Sequence, residues 1–432
     1  MRKLFLFYIP LALSASMMTL SHVIINSTLS RSIAPAAAIA SYAIAMSLLD
    51  IIEGPVLLFR QTCSALVRDR LSFKAMSQIA VYVLAATLIA GTLIGFTQLG
   101  TWIFIYGFGI EEHLLKPVVS VFRLLILVAF FSGVRCLYHG VIITNLRTKW
   151  LTFGMIIRLA AMYGLSLYFI RTGQVTAVAG AIIFLTGMAV ESVVALTEGI
   201  RIVRRLPRKR EEHPVENRRQ VFRFYRPLMF SSFIAVVILP SINLILGKTT
   251  NLELSIASFA VAYSLIMLVN SFFSYIHQIV LQFYRLNRRK VFRFVALLTP
   301  MPCLLIAVLS FTDMGTWVMT SLMGIQDQLL NESIKVLRVY LILALVFPWL
   351  DFCNGLLLLN NNTRYMVVSQ TANVVMTVAT LIVCIGIVPH WNGMIGAIAQ
   401  SLGVAAELSS AILLIRLNRK VVRGSPQIRQ RM

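Results

Sequence analysis

Apolar stretches of about 20 residues alternate with short polar breaks along the whole chain at roughly 30-residue intervals, the spacing expected of helices that cross ~30 Å of hydrocarbon. The pattern places helices at 5–29, 36–59, 77–99, 118–143, 150–170, 176–199, 225–246, 255–281, 293–312, 335–358, 366–388 and 393–415. It predicts an all-α polytopic membrane protein with twelve transmembrane helices. The ninth is interrupted by Pro300 and Pro302, which weaken a helix interior. The first apolar run, behind Arg2 and Lys3, has the layout of a secretory signal peptide. It continues to Ile25 and has a counterpart deep in the chain, so it reads as a retained span.

The polar breaks are not equivalent. With an even number of spans, both termini share one side with the loops near 60–74, 145–149, 201–226, 285–293 and 359–365. That side holds 30 of the 39 basic residues. The other holds Arg31, Lys116, Arg171 and Lys248, together with Glu111, Glu112, Glu253, Asp313, Asp327 and Glu332. The positive-inside rule then expects both termini in the cytoplasm of a cell (inner or plasma) membrane protein. A chain 58% hydrophobic and 13% charged lacks the polar surface of a soluble fold. Its net charge of +23 belongs to the loops, where it meets membrane lipids with anionic headgroups, and nucleic acid is not an expected partner.

The same apolar phrase occurs twice: "IASYAIAMSLL" at 39–49 and "IASFAVAYSLI" at 256–266, an offset of 217. At that offset "FYIPL" at 7–11 meets "FYRPL" at 224–228, Asn26 meets Asn243, Gln61 meets Gln278 and Arg68 meets Arg285. Further on the offset shrinks slightly. "HGVIITNLRTKW" at 139–150 meets "NGLLLLNNNTRY" at 354–365, Arg123 meets Arg338, and Glu191 meets Glu407. Six spans per repeat make the halves parallel repeats, with a binding site expected at their interface near midplane. The domain boundaries follow: an N-terminal six-helix lobe at 1–200, a basic cytoplasmic linker at 201–223, a C-terminal six-helix lobe at 224–416 and a basic tail at 417–432.

Ionisable residues inside spans are costly and normally face a bundle interior or wet cavity. The candidates are Asp50 and Glu53 in helix 2, Arg135 in helix 4, Arg158 in helix 5, Glu191 in helix 6, Asp351 in helix 10 and Glu407 in helix 12, with Asn26 and Asn243 as matched amides. Arg135 needs an anionic partner, either Asp351 at similar depth or an anionic substrate. Asp50 and Glu53, three positions apart, share a helix face and suit ion carriage or pairing with arginine. Arg123 and Arg338 lie near helix ends, where long side chains snorkel. Glu191 and Glu407 each follow a glycine by four residues, on a stripe where helices approach closely. The five cysteines lie in or beside apolar segments without CxxC or His neighbours, so no metal site is expected. No phosphate-binding loop, GxSxG or HExxH is present. The chain reads as no enzyme, without catalytic residues or cofactor, and any transport must draw on an ion gradient or the solute's own gradient.

Two parallel six-helix lobes, a basic connector, and Pro10 and Pro227 at the start of helices 1 and 7 resemble the multidrug/oligosaccharidyl-lipid/polysaccharide (MOP) exporter superfamily. Its members include the MATE drug exporters and the flippases of lipid-linked sugars. "LSRSIA" at 29–34, "ASYAIAMSLLDIIEGP" at 40–55 and the Gly-rich approach to Glu407 resemble the progressive ankylosis type within it. The resemblance implies two lobes around a central cavity open alternately to each side, and export of small anions such as pyrophosphate, nucleotides or citrate; a coupling ion for a secondary exporter would be a proton or sodium. Proton-coupled MATE proteins typically carry an acidic residue in helix 1. Here that helix offers Ser14, Ser16, Ser21, His22 and Asn26 but no carboxylate, so that coupling site is not carried over. The alternatives are a flippase for a lipid-linked saccharide or phospholipid, with Arg123, Arg135, Arg158 and Arg338 guiding a phosphate, and a non-transporting membrane scaffold.

Overall fold

A computed structural model describes residues 2–29, 31–33, 35–107, 112–211, 215–236, 238–246, 249, 251–323 and 327–424. The first repeat forms α1 (Arg2–Leu29), α2 (Pro35–Leu57), α3 (Phe59–Leu66), α4 (Arg70–Phe96), α5 (Gln98–Trp102), α6 (Glu112–Thr144), α7 (Lys149–Thr172) and α8 (Ala177–Arg205). The second forms α9 (Arg218–Val236), α10 (Ile238–Leu246), α11 (Leu252–Phe273), α12 (Ile276–Phe283), α13 (Arg288–Leu298), α14 (Pro300–Phe311), α15 (Asp313–Trp317), α16 (Asp327–Val339), α17 (Leu341–Leu359), α18 (Thr363–Ile387) and α19 (Gly393–Gly424). Among the described residues, eleven spans are long and apolar enough to cross a membrane. The seventh expected span, 225–246, is described as the stretches α9 and α10, and neither stretch alone meets that length and apolarity, α9 because its first turns carry Arg218, Arg219, Arg223 and Arg226. The result is an all-α polytopic membrane fold.

An expected loop is partly helical. The stretch assigned as a loop from about 60 begins with α3, which buries Phe59, Thr62, Cys63, Ser64 and Leu66. A glycine on the facing helix makes room for it. A Cβ at Gly140 of α6 would lie 2.5 Å from the Cβ of Cys63, and one at Gly355 of α17 would lie 2.8 Å from the Cβ of Val280 on α12. Cys63 and Val280 are 217 apart, and Gly140 and Gly355 are 215 apart. The two repeats therefore dock their short helices by the same close approach.

The chain resolves into two compact units, Ile9–Met229 and a second made of Met1–Tyr8 with Phe230–Met432. The division runs through α1 and α9, whereas the sequence placed it in the linker. Aromatic packing and one hydrogen bond explain each exchange. In the second unit, Phe5 and Tyr8 pack edge-on against Phe294, Phe7 against Phe283, and the Tyr8 hydroxyl donates to the Phe272 carbonyl at 2.9 Å. In the first unit, the Tyr225 hydroxyl donates to the Pro55 carbonyl at 2.8 Å. Tyr8 with Phe272 and Tyr225 with Pro55 are the same contact 217 residues apart. The first unit's core gathers Ile25, Tyr42, Phe122, Leu125, Met162 and Phe184, and the second's gathers Ile242, Phe259, Ile306, Leu337, Tyr340 and Ile395.

A second repeated phrase marks a helix break. "FTQLGTW" at 96–102 and "FTDMGTW" at 311–317 are 215 apart, and in each the helix ends at Phe and restarts beyond a Thr cap. A break inside a membrane exposes backbone carbonyls, each costing several kcal/mol if unsatisfied. Arg123 Nε donates to the Gly95 carbonyl at 2.7 Å and its guanidinium lies 4.8 Å over Phe96. Arg338 Nε donates to the Ser310 carbonyl at 3.1 Å and lies 4.9 Å over Phe311. These arginines close helix breaks; the snorkelling expectation missed that role.

The restart is tight. A Cβ at Gly100 would overlap the Ile94 carbonyl oxygen, and one at Gly315 the Leu309 carbonyl oxygen, whereas Gly164 on α7 has nothing within 4 Å. Gly100→Ala and Gly315→Ala are each expected to destabilise the protein by about 2 kcal/mol or more. Gly164→Ala is expected to be neutral or mildly stabilising. Thermal unfolding of the detergent-solubilised variants measures both.

Candidate functional site

Helices α6, α7 and α8 pack closely and bring one carboxylate between two arginines. Arg158 Nη1 donates to Glu191 Oε2 at 2.8 Å, and Arg135 Nη1 donates to the same oxygen at 3.2 Å and to Oε1 at 3.4 Å. His139 Nε2 lies 3.8 Å from Oε1. Arg158 and Glu191 are 0% and 1% exposed. Gly187, one turn before Glu191, makes this possible, because a Cβ there would meet Met162 Sδ at 2.5 Å and Arg158 Cγ at 3.2 Å. Arg135 Nη2 also donates to Ser132 Oγ at 3.3 Å. Buried Glu53, on α2, lies within hydrogen-bonding reach of Ser132 and within Coulombic range of both arginines. Asp50, one turn earlier on α2, is exposed and within Coulombic range of Glu53.

The arginine pairing differs from the sequence expectation. Arg135 finds its anion in Glu191 of its own unit, while Asp351 is engaged by a histidine. His277 Nδ1 lies 2.9 Å from Asp351 Oδ1, and the His277 backbone N–H donates to Oδ2 at 2.9 Å. On the far side of the ring, Gln278 Nε2 lies 3.0 Å from His277 Nε2. A neutral imidazole protonated on Nδ1 satisfies both neighbours, donating to Asp351 and accepting from the Gln278 amide. The same positions in the first repeat are Arg60, Gln61 and Cys136, so the His–Asp pair belongs to one repeat only.

The second unit repeats the α7–α8 contact with different chemistry. Asn373 on α18 donates through Nδ2 to Glu407 Oε2 on α19 at 2.7 Å, and the Gln370 amide, oriented to donate, reaches the same oxygen at 3.1 Å. Arg158 and Asn373 are 215 apart, Glu191 and Glu407 216 apart. Gly403, the counterpart of Gly187, again faces the partner: a Cβ there would overlap Thr377 Oγ1 and Asn373 Oδ1. Glu53 likewise corresponds, at offset 217, to Asn270, which is 2% exposed with neither amide atom bonded to another described residue. A buried Glu and Arg in one repeat are thus two amides in the other, an exchange that leaves net charge unchanged.

The remaining candidates are dispersed. Asn26 is exposed on α1. Asn243 falls in α10, and its side chain lies outside the described residues. Three other groups gather near Arg158: Phe184, whose ring centre is 5.3 Å from the guanidinium, His22, tilted at 5.6 Å from Phe184, and Tyr42, within Coulombic range. Arg158 Nε and Nη2 and the Tyr42 hydroxyl are buried without a hydrogen-bond partner among the described residues. The sequence signal for Asn373 was its register with Arg158. Tyr42 lies within the doubled phrase, whose counterpart there is Phe259. Among the described residues no group of three or more His, Cys, Asp or Glu side chains is placed to hold a metal.

With this arrangement in view, the likeness to known structures is informative. No protein-family model and no curated protein matches the chain. Solved structures do. A MOP superfamily transporter from Pyrococcus furiosus superposes with a TM-score of 0.77 at 14% identity, over 98% of this chain and 96% of its own. An outward-facing multidrug resistance MATE family transporter of the same superfamily gives 0.75 at 14% identity, covering 98% and 96%. A eukaryotic MATE transporter gives 0.74 at 14% identity, covering 96% and 95%. The chain has the multi-pass membrane fold of these transporters over nearly its full length.

The two glutamates separate cleanly in energetic terms. Glu191→Gln leaves two buried guanidinium groups without their shared counter-charge and is expected to cost ~3–5 kcal/mol. Glu407→Gln keeps an acceptor for Asn373 and is expected to cost less than about 1 kcal/mol. Unfolding midpoints of the two variants, measured side by side, check the ordering.

Proposed function

We propose that the protein is a secondary active exporter working by alternating access, with its six-span halves at 1–200 and 224–416 moving as lobes, and that it carries an anionic or amphiphilic small solute out of the cytoplasm. Both termini face the cytoplasm in this reading, since the basic loops gather on their side. Fold likeness to MATE transporters supports transport over enzymatic chemistry. The observation that carries the anionic solute is the buried edge of Arg158 and the nearby Tyr42 hydroxyl, both without a hydrogen-bond partner among the described residues. A guanidinium fork and a phenol are a matched donor set for a carboxylate or phosphate. Asp50, Glu53 and Glu407 are the carboxylates for a coupling proton or sodium ion. Arg123 and Arg338, occupied by helix-break carbonyls, weigh against a flippase whose phosphate would be guided by all four arginines.

The test is flux in liposomes containing the purified protein, with citrate, pyrophosphate, nucleotides, lipophilic dyes and lipid-linked sugar as the panel under an imposed ion gradient. At least one anionic member is expected to move. Tyr42→Phe removes only the hydroxyl and is expected to raise that solute's half-saturation concentration about tenfold, the loss of roughly 1.5 kcal/mol, with little change in unfolding midpoint. No flux for any member would favour the scaffold reading and end this one.

A further inference from the structure

At the end of the first unit where the linker begins, a cavity of about 440 Å³ is bounded by Asn145, Arg147 and Trp150 of the α6–α7 turn and by Glu198, Arg201 and Arg205 of α8. Its volume is within the ~300–1,000 Å³ of small-ligand sites. Glu198 is nearly enclosed and clamps two of the arginines: Arg147 Nη1 bonds its Oε1, and Arg201 Nη1 lies 3.7 Å from its Oε2. The clamp fixes their direction without covering them, since the Arg147 and Arg201 side chains remain 46% and 68% exposed. Arg205 has no ion pair among the described residues. Three guanidinium groups against one carboxylate leave the lining with a surplus of two positive charges.

Two further features distinguish this lining from an ordinary basic loop. Leu146, between Asn145 and Arg147, holds φ at 60°, a conformation that costs a leucine energy. The equivalent turn residue in the second repeat is Asn361 at φ 57°, which tolerates it. A strained residue kept beside a binding surface is a recognised association, and here it sets the turn that presents Arg147. The charged lining also has no counterpart in the second repeat: at the offsets of 215 and 216, Arg147 becomes Asn362, Glu198 becomes Leu414 and Arg201 becomes Leu417. Repeat architecture alone does not account for it.

Trp150 packs edge-on at 5.6 Å against Phe153, which is exposed on α7. An aromatic pair at the end of a membrane span marks the headgroup level. We propose that this cavity binds a phosphomonoester, presented at that level by the headgroup of an anionic lipid. Arginine forks bind such a group through paired N–H···O bonds. The proposal needs the membrane placement given above but not transport.

Native mass spectrometry of the full-length protein tests it, with phosphatidate titrated into phosphatidylcholine micelles and glycerol 3-phosphate in a parallel arm. One phosphatidate is expected to bind in preference to phosphatidylcholine. Arg201→Gln with Arg205→Gln is expected to weaken it about tenfold or more, and Arg205→Glu to weaken it further. Both side chains are exposed, so the unfolding midpoint in phosphatidylcholine alone is expected to stay unchanged. Equal affinity for glycerol 3-phosphate would keep the phosphate chemistry and overturn the lipid source. Phosphatidate binding unaltered in both variants would overturn the site. Absence of flux in the liposome panel, with phosphatidate binding intact, would remove the transport reading alone.

Discussion

A guanidinium cannot shed its charge, and one sealed inside a membrane helix bundle must therefore be answered by an anion fixed in place. Arg158, fully enclosed, is answered by Glu191, and much of the first unit's interior is arranged around that bond. Gly187 is small because α7 must reach α8 there. Arg135 supplies the second positive charge, and Ser132 lies between Arg135 and Glu53. The cluster is formally balanced, two arginines against two glutamates, as low dielectric demands.

The second unit shows what the same scaffold does without that demand. Its α18–α19 seam keeps the glycine, the carboxylate and the hydrogen bond, but the guanidinium is an amide. Glu407 thus sits among neutral donors while Glu191 sits between cations. A carboxylate held by amides can change its charge without stranding a partner; one clamped between arginines cannot. The unit with the amide-lined carboxylate also holds His277 and Asp351, whose Gln278 neighbour can offer either end of its amide to the ring. The amide-held carboxylate and the His–Asp pair thus lie in one unit and the arginine-clamped carboxylate in the other.

The spans and the repeat were legible in the sequence because hydrocarbon imposes a length and an apolarity that nothing local can override. Glu191 and Glu407 were legible as a pair for the same reason: they are charges in apolar helices at matching register. What was not legible depended on backbone. The exchange of α1 and α9 between units rests on Tyr8 and Tyr225, whose hydroxyls bond to main-chain carbonyls and leave no trace in hydropathy. Arg123 and Arg338 were visible as charges, but their purpose lay in carbonyls released by a break that hydropathy averages away. "FTQLGTW" and "FTDMGTW" carried that information as glycine and cap, not as apolarity. For Arg135 the sequence offers either Asp351 or a substrate, because it fixes depth along a helix and not rotation about it.

Two copies of one plan in a single chain supply an internal comparison that sorts residues by role. Where both copies keep the residue and its contact, as with the tyrosine hydroxyls, the break-closing arginines and the α3 and α12 glycine approaches, the contact belongs to the scaffold the two repeats share. Where the copies diverge together, at Glu53 with Arg158 against Asn270 with Asn373, or Arg60 with Cys136 against His277 with Asp351, the difference lies outside the scaffold the repeats share. The divergent positions are also the polar ones inside the spans, which hydrocarbon makes costly to keep. The divergence therefore separates Arg158, Glu53, His277 and Asp351, whose pairings belong to one repeat, from Arg123 and Arg338, whose contact recurs in both.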